Sequence, residues 1–157
     1  MVAVLTLIPL IGIFGTAAYV YFNGVIWQEP VIMFSGWWIA GMGITFGYHR
    51  LFAHRSFKAH PVVQFLAMLC GSAALQNTIL KWSSDHRTHH NKLDTEEDPY
   101  SITKGFFHAH IGWILEDKPV EIKGVHDLEK NPIVMFQHKY YWAIGIGLSF
   151  ILPMVIG

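Results

Sequence analysis

The hydrophobic pattern begins with two long uncharged stretches separated by a short polar turn. Residues 2–28 contain no charged side chain and are long enough to cross a bilayer as one helix. Gly24 and the pair Glu29-Pro30 indicate a turn, and residues 31–48 are again uncharged. The two stretches predict a transmembrane hairpin, with helices over residues 2–28 and 31–48.

Two more apolar stretches follow, and they predict different kinds of helix. Residues 61–80 carry no charge but include polar side chains, and both flanks hold histidines that we expect to share one site. A re-entrant or interfacial helix with both ends on one side of the membrane fits that arrangement. Residues 140–157 predict a third transmembrane helix. The pattern indicates an all-α integral membrane protein whose polar part, residues 81–139, forms a cytosolic helical cap.

The distribution of charge supports a membrane protein with one polar side. Hydrophobic residues make up 52% of the 157 residues and charged residues only 14%. Of the 22 charged side chains, one lies in the first 49 residues and 18 lie within residues 81–139. Arg50, Arg55 and Lys58 follow the second helix, whereas the hairpin loop has no Lys or Arg. The positive-inside rule therefore predicts that residues 49–60 are cytoplasmic, at a bacterial plasma membrane or the endoplasmic reticulum.

Composition also excludes several classes of protein. A content of 23 aromatic residues with a net charge of zero excludes an intrinsically disordered chain. Equal numbers of basic and acidic residues argue against a nucleic-acid partner. Cys70 is the only cysteine, which excludes a disulfide within the chain and argues against a cysteine-ligated metal.

Histidine is over-represented, with ten copies, and five of them form two clusters. His49 and His54 stand five residues apart, where a regular α-helix would set them about 140° apart. They can reach one metal ion only if the helix ends or bends there. His86, His89 and His90, at positions i, i+3 and i+4, share one helical face within an arc of about 100°. Neutral imidazoles this close together predict a metal site.

The ligand type leaves the metal open, because imidazole binds zinc, copper, iron and nickel. The chain lacks the His-Glu-x-x-His motif of zinc peptidases and the Glu-x-x-His motif of soluble di-iron proteins. Five clustered histidines exceed the ligand set of one zinc ion and indicate two metal ions. The acidic run over residues 94–99 is predicted to be a solvated loop, with hydrogen bonding to the imidazoles as the lesser interpretation. The isolated histidines predicted to be structural are His108, His110, His126 and His138.

Around the two clusters the sequence resembles the membrane fatty-acid desaturases, in particular the acyl-CoA Delta-9 (stearoyl-CoA type) branch. Residues 47–58, which read Gly-Tyr-His-Arg-Leu-Phe-Ala-His-Arg-Ser-Phe-Lys, resemble the first histidine box of that branch. Residues 76–90 resemble its second box. The later segments that resemble the branch are Asp98-Pro99, Gly105-Phe106-Phe107, His110 to Trp113, Asp127-Leu128, Asn131-Pro132 and Phe136 to Tyr141.

The resemblance implies a non-haem di-iron centre that uses O2 and two electrons to place a cis double bond in a long acyl chain. It implies an electron donor such as cytochrome b5 or a ferredoxin. The implied iron ligands are His49, His54, His86, His89 and His90. The implied substrate-binding residues are Gln76, Asn77, Trp82 and Asp85, with Asn77 and Asp85 nearer the thioester and Trp82 along the acyl tunnel. Ser83-Ser84 stands where acyl-CoA enzymes often carry an arginine, which keeps acyl-lipid and acyl-carrier substrates open beside acyl-CoA.

The resemblance also implies a third box, His-x-x-His-His, which this sequence does not contain. We therefore expect the chain to be an N-terminal piece of a desaturase that is inactive by itself. Two alternatives stay open: a lipid hydroxylase or ketolase of the same superfamily, and a non-catalytic membrane protein that binds metal.

Overall fold

The computed structural model describes residues 2–116 and 121–156, and this part of the chain is helical without a β-strand. The all-α prediction is therefore confirmed. The predicted cap includes residues 117–120 and the predicted third span includes residue 157, which lie outside the described residues. The α- and π-helices are α1 (Val2–Asn23), α2 (Gln28–Met42), a π-helix (Gly43–Ala53), α3 (Pro61–Ser72), α4 (Ile79–Asn91), α5 (Phe106–His110), α6 (His126–Glu129), α7 (Pro132–Ile146), a second π-helix (Gly147–Ile151) and α8 (Leu152–Ile156). Two short 3-10 helices cover Ile102–Lys104 and Gly112–Leu115.

Within the described residues, three segments are long and apolar enough to cross a membrane: Leu5–Asn23, Gln28–Ala53 and Pro132–Ile156. Large apolar side chains on them are exposed, among them Phe14 at 68% and Trp37 at 71%. So much exposed apolar surface is stable in lipid rather than in water, and the chain is a membrane protein. The α3 helix has 12 residues, about 18 Å, and falls short of the apolar layer of about 30 Å. Its interfacial or re-entrant course stays a prediction.

One carboxylate closes the turn between α1 and α2. Glu29 accepts a hydrogen bond from the Tyr19 hydroxyl at 2.6 Å and another from the Ile26 amide at 3.2 Å. The α2 helix begins three residues earlier than the predicted span, because Pro30 lies in its first turn, where a missing N–H costs no hydrogen bond. The only charged side chain of the hairpin thus stabilises its turn.

The α7 helix begins at Pro132, before the predicted start at residue 140. The Asn131 side chain caps it by accepting a hydrogen bond from the Ile133 amide at 3.0 Å. The difference arises because Lys139 interrupts the uncharged run on which the prediction was based. The first turns of this helix are therefore polar enough to reach beyond the apolar layer.

Close packing of the π-helix against α3 holds the first histidine box in place. A Cβ atom on Gly43 would overlap the backbone nitrogen of Gly71. A Cβ atom on Gly47 would lie 3.1 Å from the carbonyl oxygen of Ala67. The two helices therefore meet through small residues, as is common in membrane proteins. The fully buried apolar side chains of the adjoining core include Tyr48, Met68, Ile79 and Val134.

A buried polar cluster joins the π-helix, α3, α4 and α7. Gln137 donates from Nε2 to the Tyr48 hydroxyl at 2.8 Å and to the Ser72 hydroxyl at 3.2 Å. The amide oxygen of Gln137 accepts a hydrogen bond from the backbone N–H of Ile79 at 3.1 Å. Because buried polar atoms are costly unless they are paired, these contacts favour one arrangement of the four helices.

Alanine at Gly43 is expected to destabilise the fold by about 1–3 kcal/mol, because the new Cβ atom would overlap backbone atoms that cannot move aside easily. The measurement is the free energy of unfolding of the purified chain in detergent micelles. Gly41→Ala is the matched control, since nothing lies within 4 Å of a Cβ atom there. Equal stability of the two variants would contradict the close packing.

Candidate metal centre

Four histidines from two helical segments converge at the end of Gln28–Ala53, the second segment that is long enough to cross a membrane. One ring nitrogen from each of His49, His54, His86 and His90 lies within 4.8 Å of the other three. Neighbouring rings have centroids 4.6 to 4.9 Å apart. His54 and His90 are exposed while His49 and His86 are half-buried, so this four-histidine group is open to solvent on one side.

The π-helix explains how two residues five apart reach the same centre. The His54 amide donates to the His49 carbonyl oxygen at 2.9 Å, which is the i to i+5 hydrogen bond of a π-helix. The two residues therefore stand one turn apart on the same face, with ring centroids separated by 4.6 Å. The sequence required a bend or an end of the helix here, and the structure meets that requirement with a wider helix over Gly43–Ala53.

The α4 helix presents its three histidines across an arc whose two edges face different neighbours. His90 lies one turn after His86 and on the side of His54, whereas His89 lies at the other edge, about 100° from His90. The Nδ1 atom of His89 is 2.9 Å from the Asp98 carboxylate. Its ring centroid is 5.5 Å from that of His90. The structure thus brings four of the five predicted ligands into one group and holds the fifth beside it.

The spacing of the ring nitrogens fits a bound cation. Nε2 of His86 lies 2.9 Å from Nε2 of His54 and 3.2 Å from Nε2 of His90. A ring nitrogen carries either one hydrogen or one lone pair, so His86 cannot form a hydrogen bond to both neighbours at once. Two nitrogens about 2.1 Å from a shared metal ion, and about 90° apart around it, lie about 3.0 Å from each other. Nε2 of His86 therefore lies at the distance expected between two ligands of one metal ion from each of the other two nitrogens.

The surroundings of His86 keep its imidazole neutral. Its pKa is lowered to about 4, first by burial and then by the neighbouring rings of His49, His90 and His54. Trp82 contributes to the burial by stacking on His86, with ring centroids 4.8 Å apart and planes 25° apart. A neutral ring offers a lone pair to a metal at physiological pH.

Asp98 is buried, although the acidic run that contains it was predicted to be solvated. Its carboxylate accepts hydrogen bonds from Nδ1 of His89 and from the amides of Asp94 and Tyr100, each at 2.9 Å. Burial alone would raise the pKa of Asp98, but these hydrogen bonds outweigh burial and hold the pKa below its ordinary value. The solvated-loop prediction is wrong for Asp98, while residues 95–97 are exposed. For Asp98 the lesser interpretation, a hydrogen bond to an imidazole, is the one observed.

Arg87 links the two histidine boxes, a role that the sequence reasoning missed. Its guanidinium donates to the carbonyl oxygens of Phe52 and Ala53, at 3.0 and 2.9 Å, directly before His54. It also donates two hydrogen bonds to the Asp127 carboxylate, at 2.7 and 3.1 Å. The sequence feature that points to this role is the position of Arg87 directly after His86. From there its guanidinium can reach the segment that carries His49 and His54.

Two of the predicted substrate-binding residues lie on α4. Trp82 stacks on His86 and meets the His49 ring edge-on, with centroids 6.1 Å apart, so its indole borders the four-histidine group. Asp85 pairs with Lys81 one turn earlier and lines a cleft of 450 Å³. Burial raises the pKa of Asp85, and the Lys81 ammonium offsets only part of that increase.

The other two, Gln76 and Asn77, are exposed in the turn between α3 and α4. Asn77 has a φ of +80°, and its backbone N–H donates to the Tyr141 hydroxyl at 2.8 Å. It lines a second cleft, of 370 Å³, together with His138. Asn77 and Asp85 therefore border different clefts, and their shared role near a head group stays a prediction.

The histidines predicted to be structural lie outside the four-histidine group, and each has a partner of its own. The partners are Pro99 and Glu116 for His108, Phe106 for His110, Glu129 for His126, and Thr78 for His138. These contacts account for the four side chains without a metal.

The sequence is similar to acyl-CoA desaturases over most of its length. It is 41% identical over 136 residues to Delta(9)-fatty-acid desaturase fat-7 of Caenorhabditis elegans, which covers 83% of this chain and 40% of that protein. It is 40% identical over 145 residues to the acyl-CoA Delta-9 desaturase of Acheta domesticus, covering 88% of this chain and 40% of the relative. It is 36% identical over 151 residues to an acyl-CoA Delta(11) desaturase of Spodoptera littoralis, covering 92% and 44%.

These curated relatives are longer than the chain, which spans 40% to 44% of their lengths. No protein-family model matches the chain. The similarity covers both histidine boxes, because the alignments include at least 83% of the residues.

Proposed function

Because this chain belongs to the membrane fatty acid desaturase family, we propose that its histidines serve an O2-dependent enzyme that introduces a cis double bond, at Delta-9, into a long acyl chain. The observation that carries this function is the four-histidine group at the end of a membrane-spanning segment. Imidazole nitrogens suit iron, and the adjoining membrane holds the apolar substrate.

The chemistry removes two hydrogen atoms from adjacent CH2 groups. Two electrons come from the C–H bonds, and two come from a donor such as cytochrome b5 or a ferredoxin. Two protons come from the acyl chain and two from the surroundings. Together, the four electrons and four protons reduce O2 to two water molecules. Bound to the histidines, two iron ions would supply the oxidant that an unactivated C–H bond requires.

The protein's own residues hold the metal and shield one side of it from water. His49, His54, His86 and His90 are ligands in this proposal, and His89 is the fifth. On the inner side of the group, the rings of Trp82 and the buried Tyr48 meet edge-on, with centroids 6.1 Å apart. Such an aromatic wall favours the approach of an acyl chain over that of water.

The proposed substrate is a long-chain acyl-CoA or acyl-lipid. In this proposal Asp85 and Asn77 lie nearer the thioester end of the substrate, each at the edge of its own cleft. Acyl-CoA enzymes often carry an arginine where this chain has Ser83-Ser84. Here Lys81 supplies a positive charge beside Asp85. Gln76, exposed in the turn before α4, belongs to the same proposed substrate-binding set, and Trp82 would line the acyl tunnel.

The proposed topology is a multi-pass membrane protein whose metal centre faces the cytoplasm. Arg50, Arg55 and Lys58, which lie at or just after the end of the second span, support this side, and all three are exposed. The same orientation suits a bacterial plasma membrane or the endoplasmic reticulum.

Expression of the complete coding sequence that contains this chain, in a yeast strain without its own Delta-9 desaturase, tests the function. The expected result is growth without added unsaturated fatty acid and a cis-Delta-9 product in the fatty-acid profile. His86→Ala is the inactive comparison. A hydroxylated or keto product without a double bond would instead support the hydroxylase or ketolase alternative.

Metal analysis of the same purified protein separates the remaining alternative. The proposed enzyme carries iron. About one zinc per chain and no iron, together with an unchanged fatty-acid profile, would contradict the proposed function and favour a non-catalytic metal-binding protein.

A further inference from the structure

Asp98 is a charged side chain held inside the protein by three donors. Its side chain has no exposed surface, and it lies nine residues after His89. Oδ1 accepts from Nδ1 of His89 and from the Tyr100 amide, and Oδ2 accepts from the Asp94 amide. Backbone amides can only donate, so the two amides fix the carboxylate as an acceptor that faces the His89 ring.

This contact determines which nitrogen of His89 is free. Since Oδ1 accepts, Nδ1 of His89 carries the hydrogen, and Nε2 keeps its lone pair. Hydrogen bonding of this kind at the far nitrogen is how proteins orient histidine ligands and raise their basicity. His89 is also the predicted ligand that lies outside the four-histidine group, with its ring centroid 5.5 Å from that of His90.

The loop that carries Asp98 is itself anchored. The Pro99 carbonyl oxygen accepts a hydrogen bond from Nε2 of the buried His108 at 3.2 Å. The Tyr100 ring lies between two others: its centroid is 5.3 Å from that of His89 and 4.7 Å from that of Trp113. The loop therefore contacts His89 through a hydrogen bond on the ring edge and a ring contact from Tyr100.

We propose that Asp98 is a positioning residue that orients His89 and holds its Nε2 atom free to bind metal. The role rests on the proposed function, because that function makes His89 a ligand. Asp98 therefore differs from the exposed residues of the acidic run, because in that run it alone forms a hydrogen bond to a predicted ligand.

The first test follows the tautomer of His89 in the metal-free full chain by NMR of histidine side chains labelled with 15N. The signal of His89 is assigned as the one that is lost in His89→Ala. In the wild type, this signal should show a fixed Nδ1–H tautomer. Asp98→Ala should convert that signal to an average of both tautomers, and Asp98→Asn should retain it, because the amide oxygen still accepts. Glu97→Ala, which alters an exposed neighbour, should leave it unchanged.

The second test measures binding of Co(II), as a spectroscopic probe, and of Fe(II). Asp98→Ala should weaken binding by about 10- to 100-fold and change the Co(II) absorption bands, whereas Glu97→Ala should do neither. Asp98→Asn should bind metal more weakly than the wild type while keeping the tautomer. If Asp98→Ala fails to fold, the wild type decides: a His89 signal that shows an Nε2–H tautomer, or an average of both tautomers, overturns the proposal.

The two tests separate this inference from the proposed function. An unchanged His89 tautomer in Asp98→Ala overturns the positioning role, whether or not the metal affinity changes. A shifted tautomer in Asp98→Ala, together with no metal binding by the wild-type product of the complete coding sequence, supports the orienting contact and overturns the proposed function.

Discussion

Replacing His86 with alanine is expected to weaken metal binding by more than about 100-fold, because contacts outside the ligand sphere alone are worth about 10- to 100-fold. His86 is the central member of the four-histidine group: its Nε2 atom is 2.9 Å from that of His54 and 3.2 Å from that of His90. Without it, the ligands of the π-helix and those of α4 lose their common neighbour.

The measurement compares unfolding with and without metal for the full chain in detergent. Fe(II) or Co(II) at 100 times its dissociation constant should raise the free energy of unfolding of the wild type by about 2.7 kcal/mol. The same concentration should give less than about 0.4 kcal/mol in His86→Ala, whose dissociation constant is more than 100-fold higher. His110→Ala is the matched control, since His110 is exposed and stacks on Phe106 away from the group. An equal increase in wild type and His86→Ala would exclude His86 as a ligand.

The sequence predicted this site from helical geometry, and that geometry was sufficient for α4 but not for the first histidine box. The i and i+4 spacing of His86 and His90 placed both on one face, as in the structure. For His49 and His54, α-helical geometry implied separation by about 140°. The π-helix that brings them together depends on glycines packed against α3, which is a tertiary effect that a single-sequence pattern does not contain.

Contacts between distant segments explain the other differences. The all-α fold and the membrane spans follow from local hydrophobicity, so they were accessible to the sequence. Arg87 reaches Asp127, 40 residues later, and no periodicity relates the two. Asp98 shares its composition with an exposed run, and only the folded loop shows that it turns inward to His89. Local patterns therefore identified the ligand-bearing segments, and tertiary packing supplied the residues that orient them.

Arg87→Ala is expected to lower the free energy of unfolding by about 3 kcal/mol and to disorder the first histidine box. The substitution leaves the carbonyl oxygens of Phe52 and Ala53 without their guanidinium donor, directly before His54. It also removes two hydrogen bonds to Asp127. Losing one partner of a buried ion pair costs about 3–5 kcal/mol, and the lower figure applies because both side chains are partly exposed. Arg87→Lys should restore only part of the loss, since an ammonium cannot donate in the same planar fork.

The pH dependence of stability identifies the Arg87–Asp127 pair as the cause. Hydrogen bonds and charge from Arg87 hold the pKa of Asp127 below its ordinary value. This stabilisation is complete above the unfolded pKa of about 3.9 and is lost as pH falls through the lower folded pKa. The free energy of unfolding in detergent, measured between about pH 6 and 2, should therefore fall less steeply with decreasing pH in Arg87→Ala than in the wild type.

The control is Arg50→Ala, which removes an exposed arginine from the π-helix and should keep the wild-type slope. Identical slopes in Arg87→Ala and the wild type would show that Asp127 does not depend on Arg87, and the link between the two histidine boxes would then rest on the carbonyl contacts alone.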